Sequence, residues 1–148
     1  MFQGAAALSL DAKGRLSIPA RHRGALAQDH GEVVVTAHPQ HCLLIYPAQA
    51  WQPIRDKILS GPSLDKRSAA LKRLFVGNAR DESLDGSGRV LIAPELRKWA
   101  DLDKAVWLVG QGSHFELWSD ERWQQQQQEW EELTTEDLMA PGLEDLSL

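Results

Sequence analysis

The chain is poor in the residue types that carry chemistry. Its single cysteine, Cys42, excludes an internal disulfide, suits a reducing compartment, and lies in an apolar run as a small buried hydrophobe. No phosphate-binding loop, catalytic-triad signature or zinc-hydrolase motif occurs, and nothing pairs a nucleophile with a base. No enzyme, cofactor or small-molecule substrate is therefore expected. His22, His30, His38, His41 and His114 lack metal-ligand spacing, with only His38 and His41 close in sequence, so no metal site is expected. No apolar run approaches the roughly 20 residues a membrane span needs, and no signal region is seen at the N-terminus. These absences lead us to expect a soluble, cytoplasmic protein without a membrane partner.

With 43% apolar and 25% charged residues, the 148-residue chain has the composition of an ordinary globular protein. Charge is unevenly spread. Residues 1–115 hold 15 Lys or Arg against 11 Asp or Glu, whereas residues 116–148 hold Arg122 against ten acids. A mildly basic body followed by an acidic tail suggests a polyanion partner or an interaction tail.

The chain also repeats itself. Leu10-Asp11-Ala12-Lys13-Gly14-Arg15-Leu16-Ser17-Ile18 returns 74 residues later as Leu84-Asp85-Gly86-Ser87-Gly88-Arg89-Val90-Leu91-Ile92. Leu43–Tyr46 with Trp51 is echoed by Phe115–Trp118 with Trp123. In the first copy, strands at 7–10 and 15–18 flank the Asp-Ala-Lys-Gly turn, and Pro19 leads a helix over Ala20–Ala27. Strands at Val33–Thr36 and Cys42–Tyr46 form a second hairpin, and a helix carrying Trp51, Ile54 and Ile58 follows. Ser63 is expected to cap a linker helix whose Leu64, Leu71, Leu74 and Phe75 form one stripe, with Lys66, Arg67, Lys72 and Arg73 on a solvated face. The second copy repeats the plan: a hairpin around Asp85–Gly88, a helix from Pro94 to Trp99, and strands at Val106–Val109 and Phe115–Trp118. A helix starting at Ser119 places Trp123, Trp130 and Leu133 on one face, the Gln124–Gln128 run is solvated, and a disordered end is expected beyond Glu136. The six tryptophans are expected to fill the core and oligomer interfaces rather than stack on bases.

Each unit is thus β-β-α-β-β-α, too small to bury a core alone, and pairing the two units supplies what each lacks. The fold class is mainly β with short helices (α+β). Residues 5–51 form unit 1, 52–77 a helical linker, 78–123 unit 2, and 124–148 a C-terminal helix with the acidic tail.

The element able to carry function is Asp-x-x-Gly-Arg. At a tight turn, the Asp carboxylate can accept the guanidinium of the Arg that closes it, fixing the fork of donors. An arginine held in this way loses little entropy on meeting a phosphate or a guanine edge. Bracing a turn and meeting a ligand both survive duplication, so the motif alone leaves the two roles open.

Here the sequence resembles a known family. Met1-Phe2-Gln3-Gly4, Asp11 through Pro19, Asp85 through Arg89, Leu43–Tyr46 with Pro47 and Trp51, and Gly110 through Trp118 are together similar to the MraZ family. The resemblance runs to about Trp123 and leaves the Gln-rich, acidic tail outside. It implies AbrB-like units combined in a pseudo-symmetric swapped-hairpin barrel, assembled into ring-shaped homo-oligomers. It further implies a nucleoid-associated regulator, expected to repress, that binds repeated double-stranded DNA sites in the promoter of the cell-division and cell-wall gene cluster, including its own gene. The DNA-contacting residues it implies are Asp11, Arg15, Asp85 and Arg89.

Around these, Lys13 and Gly14 complete the first loop, and Arg21 and Arg23 are auxiliary basic residues. From Asp11 to Arg23 the charge balance is +3, whereas from Asp81 to Lys98 it is −1. The first copy is therefore expected to dominate binding through Arg15 and Lys13, with Arg89 largely structural or auxiliary. The competing reading is an AbrB-like antitoxin whose acidic C-terminal tail covers a partner protein.

Overall fold

Side chains alternate across a strand, so an unbroken apolar run marks a strand buried on both faces. Val33–Val35 and Leu43–Tyr46 are such runs, and both lie buried in the middle of the protein. The computed structural model describes residues 1–28 and 30–147. Asp29, in the first unit, and Leu148, at the end of the tail, lie outside the described residues.

The first copy contributes β1 (Ala5–Ser9), β2 (Arg15–Ser17), α1 (Ala20–Ala27), β3 (Glu32–Ala37), β4 (Leu43–Pro47) and α2 (Ala48–Leu59). A linker follows, made of α3 (Lys66–Leu71) running into a π-helical segment, Lys72–Val76. The second copy contributes β5 (Arg80–Ser83), β6 (Arg89–Leu91), α4 (Pro94–Trp99), β7 (Ala105–Gly110), β8 (Phe115–Ser119) and α5 (Asp120–Glu131), and α6 (Thr135–Leu138) comes after it.

β3 pairs with β4, and β7 with β8, as hairpins within their own copies, but the first two strands of each copy part beyond their turn. One antiparallel sheet has the order β1-β7-β8-β4-β3-β5, and β2 pairs with β6 in a separate two-stranded ribbon. The first strand of each copy is thus lent to the other: β1 lies beside β7, and β5 beside β3. A pseudo-twofold axis passes between β4 and β8 and through the ribbon. This is the exchange that a swapped hairpin describes, but the sheet stays open, and among the described residues no closed barrel forms.

One face of the sheet meets the ribbon, α1 and α4 in a single core. Leu16, Ile18, Val33, Val35, Leu43, Ile45, Val90, Ile92 and Leu117 are almost or wholly inaccessible there. On the other face, α2 lays Trp51 over Val34, Leu44 and Tyr46, and α5 lays Trp123 over Cys42, Val109 and Trp118. Burial pushes the Cys42 thiol upward, beyond the range in which it ionises at neutral pH, as suits a small hydrophobe.

Several expectations need correcting. Asp65, not Ser63, caps α3, because its carboxylate accepts from the amides of Arg67 and Ser68. Leu64 precedes that cap and is fully exposed, so it is not part of the linker stripe. Lys72 leaves the solvated face and donates to the Gly61 carbonyl at 2.8 Å. Trp130 packs edge-on against Trp123 but is half exposed, and Leu133 falls beyond the end of α5. The end beyond Glu136 begins as part of α6, which reciprocal bonds between Thr134 and Asp137 close. Among the described residues no helix is long and apolar enough to cross a membrane.

Leu16 lies under the shared ribbon and is fully buried. Truncating it to Ala is expected to cost about 2–5 kcal/mol. Because the copies interlock, denaturant unfolding of Leu16→Ala followed by fluorescence and by circular dichroism should give one coincident, shifted transition; two separate transitions would contradict the interlock.

Candidate nucleic-acid interface

Both Asp-x-x-Gly-Arg loops fold in the same way. In the first, Asp11 Oδ1 accepts from the backbone amides of Lys13 at 3.0 Å and Arg15 at 2.8 Å. Its Oδ2 accepts from Arg15 Nε at 2.7 Å. Backbone bonds from Asp11 N to Arg15 O and from Gly14 N to Asp11 O close the turn. In the second loop, Asp85 repeats each contact, taking the amides of Ser87 and Arg89 and pairing with Arg89 Nε at 2.8 Å. Gly14 and Gly88 have φ of +81° and +74°, a left-handed conformation that glycine adopts without penalty.

The hydrogen bonds hold both carboxylates below the usual range, chiefly the amides of Arg15 and Arg89 respectively. Each arginine is tied through Nε and leaves its two Nη groups without a hydrogen bond among the described residues. Those groups are positioned donors. Exposed ion pairs add little to stability, so the value of this one lies in aiming the guanidinium.

Each loop is also clasped by the opposite copy. Ile18 N donates to Gly88 O, and Ile92 N donates to Gly14 O, both at 2.9 Å. Arg97 of α4 lies against the first loop: a methyl group on Gly14 would come within 2.7 Å of its guanidinium carbon. Arg23 of α1 lies in the same way against Gly88 in the second loop. Their Nε groups are anchored on the carbonyls ending the ribbon strands, Arg23 on Ile18 at 2.7 Å and Arg97 on Ile92 at 2.9 Å.

This exchange corrects the charge count taken along the chain. Arg23 serves the second loop, and Arg97 serves the first. Lys13, Arg15 and Arg97 then stand against Asp11, and Arg23 and Arg89 against Asp85. The first loop stays the more positive, by one charge rather than four. Glu95, counted against the second copy, is paired with Arg80. Sequence reasoning missed Arg97, although it stands 74 residues after Arg23, the same offset that links the two aspartates. Arg21 goes elsewhere: its Nε donates to His22 and its end lies over Gly4. Among the described residues, no three His, Cys, Asp or Glu side chains are placed to hold a metal ion.

Register on the ribbon decides which way the braced arginines face. Arg15 stands opposite Leu91, Leu16 opposite Val90, and Ser17 opposite Arg89. Leu16 and Val90 are fully buried, so the other four side chains form the outward face. Both arginines therefore lie on one exposed surface, on a diagonal across a narrow two-stranded ribbon.

The same duplication is found in known proteins. The family model described as "MraZ protein, putative antitoxin-like" matches the chain twice, over residues 1–74 and 75–141. The chain belongs to the MraZ family. It is 62% identical to a protein of Aromatoleum aromaticum named transcriptional regulator MraZ, with both chains covered in full. Proteins of the same name from Dechloromonas aromatica and Azoarcus sp. are 60% and 59% identical, again over the whole of both chains. The similarity extends past Trp123, so the Gln-rich, acidic tail is not foreign to the family, contrary to expectation from the motifs.

Acid should open these loops. A carboxylate held low contributes stability that is present above its unfolded value and lost as pH falls through its folded one. At neutral pH the Nε–H signals of Arg15 and Arg89 should carry the downfield NMR shift of a bond to carboxylate, and they should move to free-arginine positions once the pH drops below the usual carboxylate range.

Proposed function

We propose that this protein is a DNA-binding transcriptional regulator whose ribbon and two braced loops meet double-stranded DNA. The observation that carries the reading is the pair of guanidinium groups, each held by its own aspartate, on the outward face of β2 and β6. A major groove admits a two-stranded ribbon, and arginine forks suit both phosphate and guanine. The printed names of the relatives support the same reading.

In finer detail, Asp11 and Asp85 position Arg15 and Arg89 for contact, with Gly14 and Gly88 allowing the turn. Lys13 adds a phosphate contact at the first loop. Arg23 and Arg97 support the opposite loops, and Arg21 is a peripheral cation. The protein acts without catalysis, cofactor or small-molecule substrate, in the cytoplasm and on the nucleoid. It represses from repeated sites in the promoter of the cell-division and cell-wall cluster, its own gene included. Copies joined head to tail close into a ring, and a ring that offers many loops turns modest contacts into avidity.

Gel-shift titration at several salt concentrations tests this. Duplexes with several repeats should be bound cooperatively, and a single repeat only weakly. Arg15→Ala should lose roughly ten- to a hundredfold in affinity, as expected for one guanidinium contact, and Arg89→Ala should lose less. Equal losses from the two variants, both folded, would remove the priority of the first loop; equal affinity for one and several repeats would remove the avidity argument.

A second reading follows from the antitoxin-like wording of the family description. Residues 129–147 carry acids and no base, as a segment covering a basic partner would. Removal of the chain from Glu136 onward separates the two: a regulator should keep its DNA affinity, whereas an antitoxin would lose its protein partner.

A further inference from the structure

The two braced turns share one geometry, but the outward face of the ribbon between them is asymmetric. The pseudo-twofold axis relates Arg15 to Arg89 and Ser17 to Leu91. Leu91 is 42% exposed, and its counterpart across the axis is a hydroxyl. A single exposed leucine is ordinary on a protein surface. This one stands directly opposite Arg15 and two positions from Arg89, so anything that engages both arginines must cover it. In the major groove the apolar feature is the thymine methyl, while a serine hydroxyl suits any base edge.

We propose that Leu91 is a specificity-determining residue that packs on a thymine methyl while Ser17 hydrogen-bonds a base edge, so that the ribbon reads a non-palindromic site in one orientation. The proposal rests on the DNA-binding reading above. Lys13, whose counterpart is Ser87, adds its charge at the same end as Arg15 and favours the same orientation. The two braced arginines hold the duplex, and the unlike pair between them, with Lys13, decides which way round.

The test selects duplexes with several repeats, randomised within each repeat, using the full-length protein and Leu91→Ser. The native protein should enrich a non-palindromic repeat with thymine at one fixed position, and Leu91→Ser should lose that thymine. Replacing the thymine by deoxyuridine removes only the methyl group. Native binding should then weaken roughly fourfold for each repeat engaged, the worth of one buried methyl, while Leu91→Ser should not respond. Identical motifs from both proteins, a palindromic motif, or no position sensitive to deoxyuridine would overturn the assignment. If Leu91→Ser binds no DNA, the native deoxyuridine series alone decides, with Leu91→Met expected to keep the thymine preference. Arg15→Ala distinguishes the two levels. If it binds the selected DNA as tightly as the native protein, the DNA-binding reading of this face fails; if it loses binding while Leu91→Ser keeps every preference, only the role of Leu91 fails.

Discussion

Two strands of three residues each, β2 and β6, pair with one another because neither finds a complete partner in its own copy. Each follows a tight turn, and the strand before each turn is drawn away to the far copy's sheet. The ribbon they form closes the inner core over Leu16, Ile18, Val90 and Ile92. Everything at the candidate interface hangs on this pairing. It sets the two turns at opposite ends of one ribbon, turns both arginines outward, and brings each loop under the guanidinium of the other copy.

The exchange also explains how such short elements persist. A three-residue strand pair exposes most of its surface unless something packs beneath it. Here the two inward side chains are wholly buried, and the backbone bonds continue through Ile18 and Ile92 into the opposite turns. The turns are therefore parts of the core's edge rather than free loops. A rigid support of this kind holds a guanidinium in place at little entropic cost when a polyanion arrives.

Duplication followed by divergence left a near-symmetric frame with unlike contents. Asp11, Gly14 and Arg15 match Asp85, Gly88 and Arg89 position by position, as do Arg23 and Arg97 behind them. Lys13 and Ser17 do not match Ser87 and Leu91. The matching residues are those that shape the backbone or aim a donor. Ser17 and Leu91 lie on the outward face of the ribbon and take no part in the turns, which is where we propose that a direction along DNA is encoded.

Much of this was legible from the chain. The repeat announced two units, apolar, β-branched-rich runs marked the buried strands, and the Asp-x-x-Gly-Arg spacing described its own turn, since every bond in it joins residues no more than four apart. The sequence determined local geometry because local hydrogen bonds depend on neighbours whose chemistry is written beside them. The tertiary structure alone decided which strands pair, which arginine attends which loop, and that the sheet stays open. Those outcomes follow from burying apolar faces contributed by segments from about 70 to about 100 residues apart, and no single stretch of the chain contains both sides of such a contact.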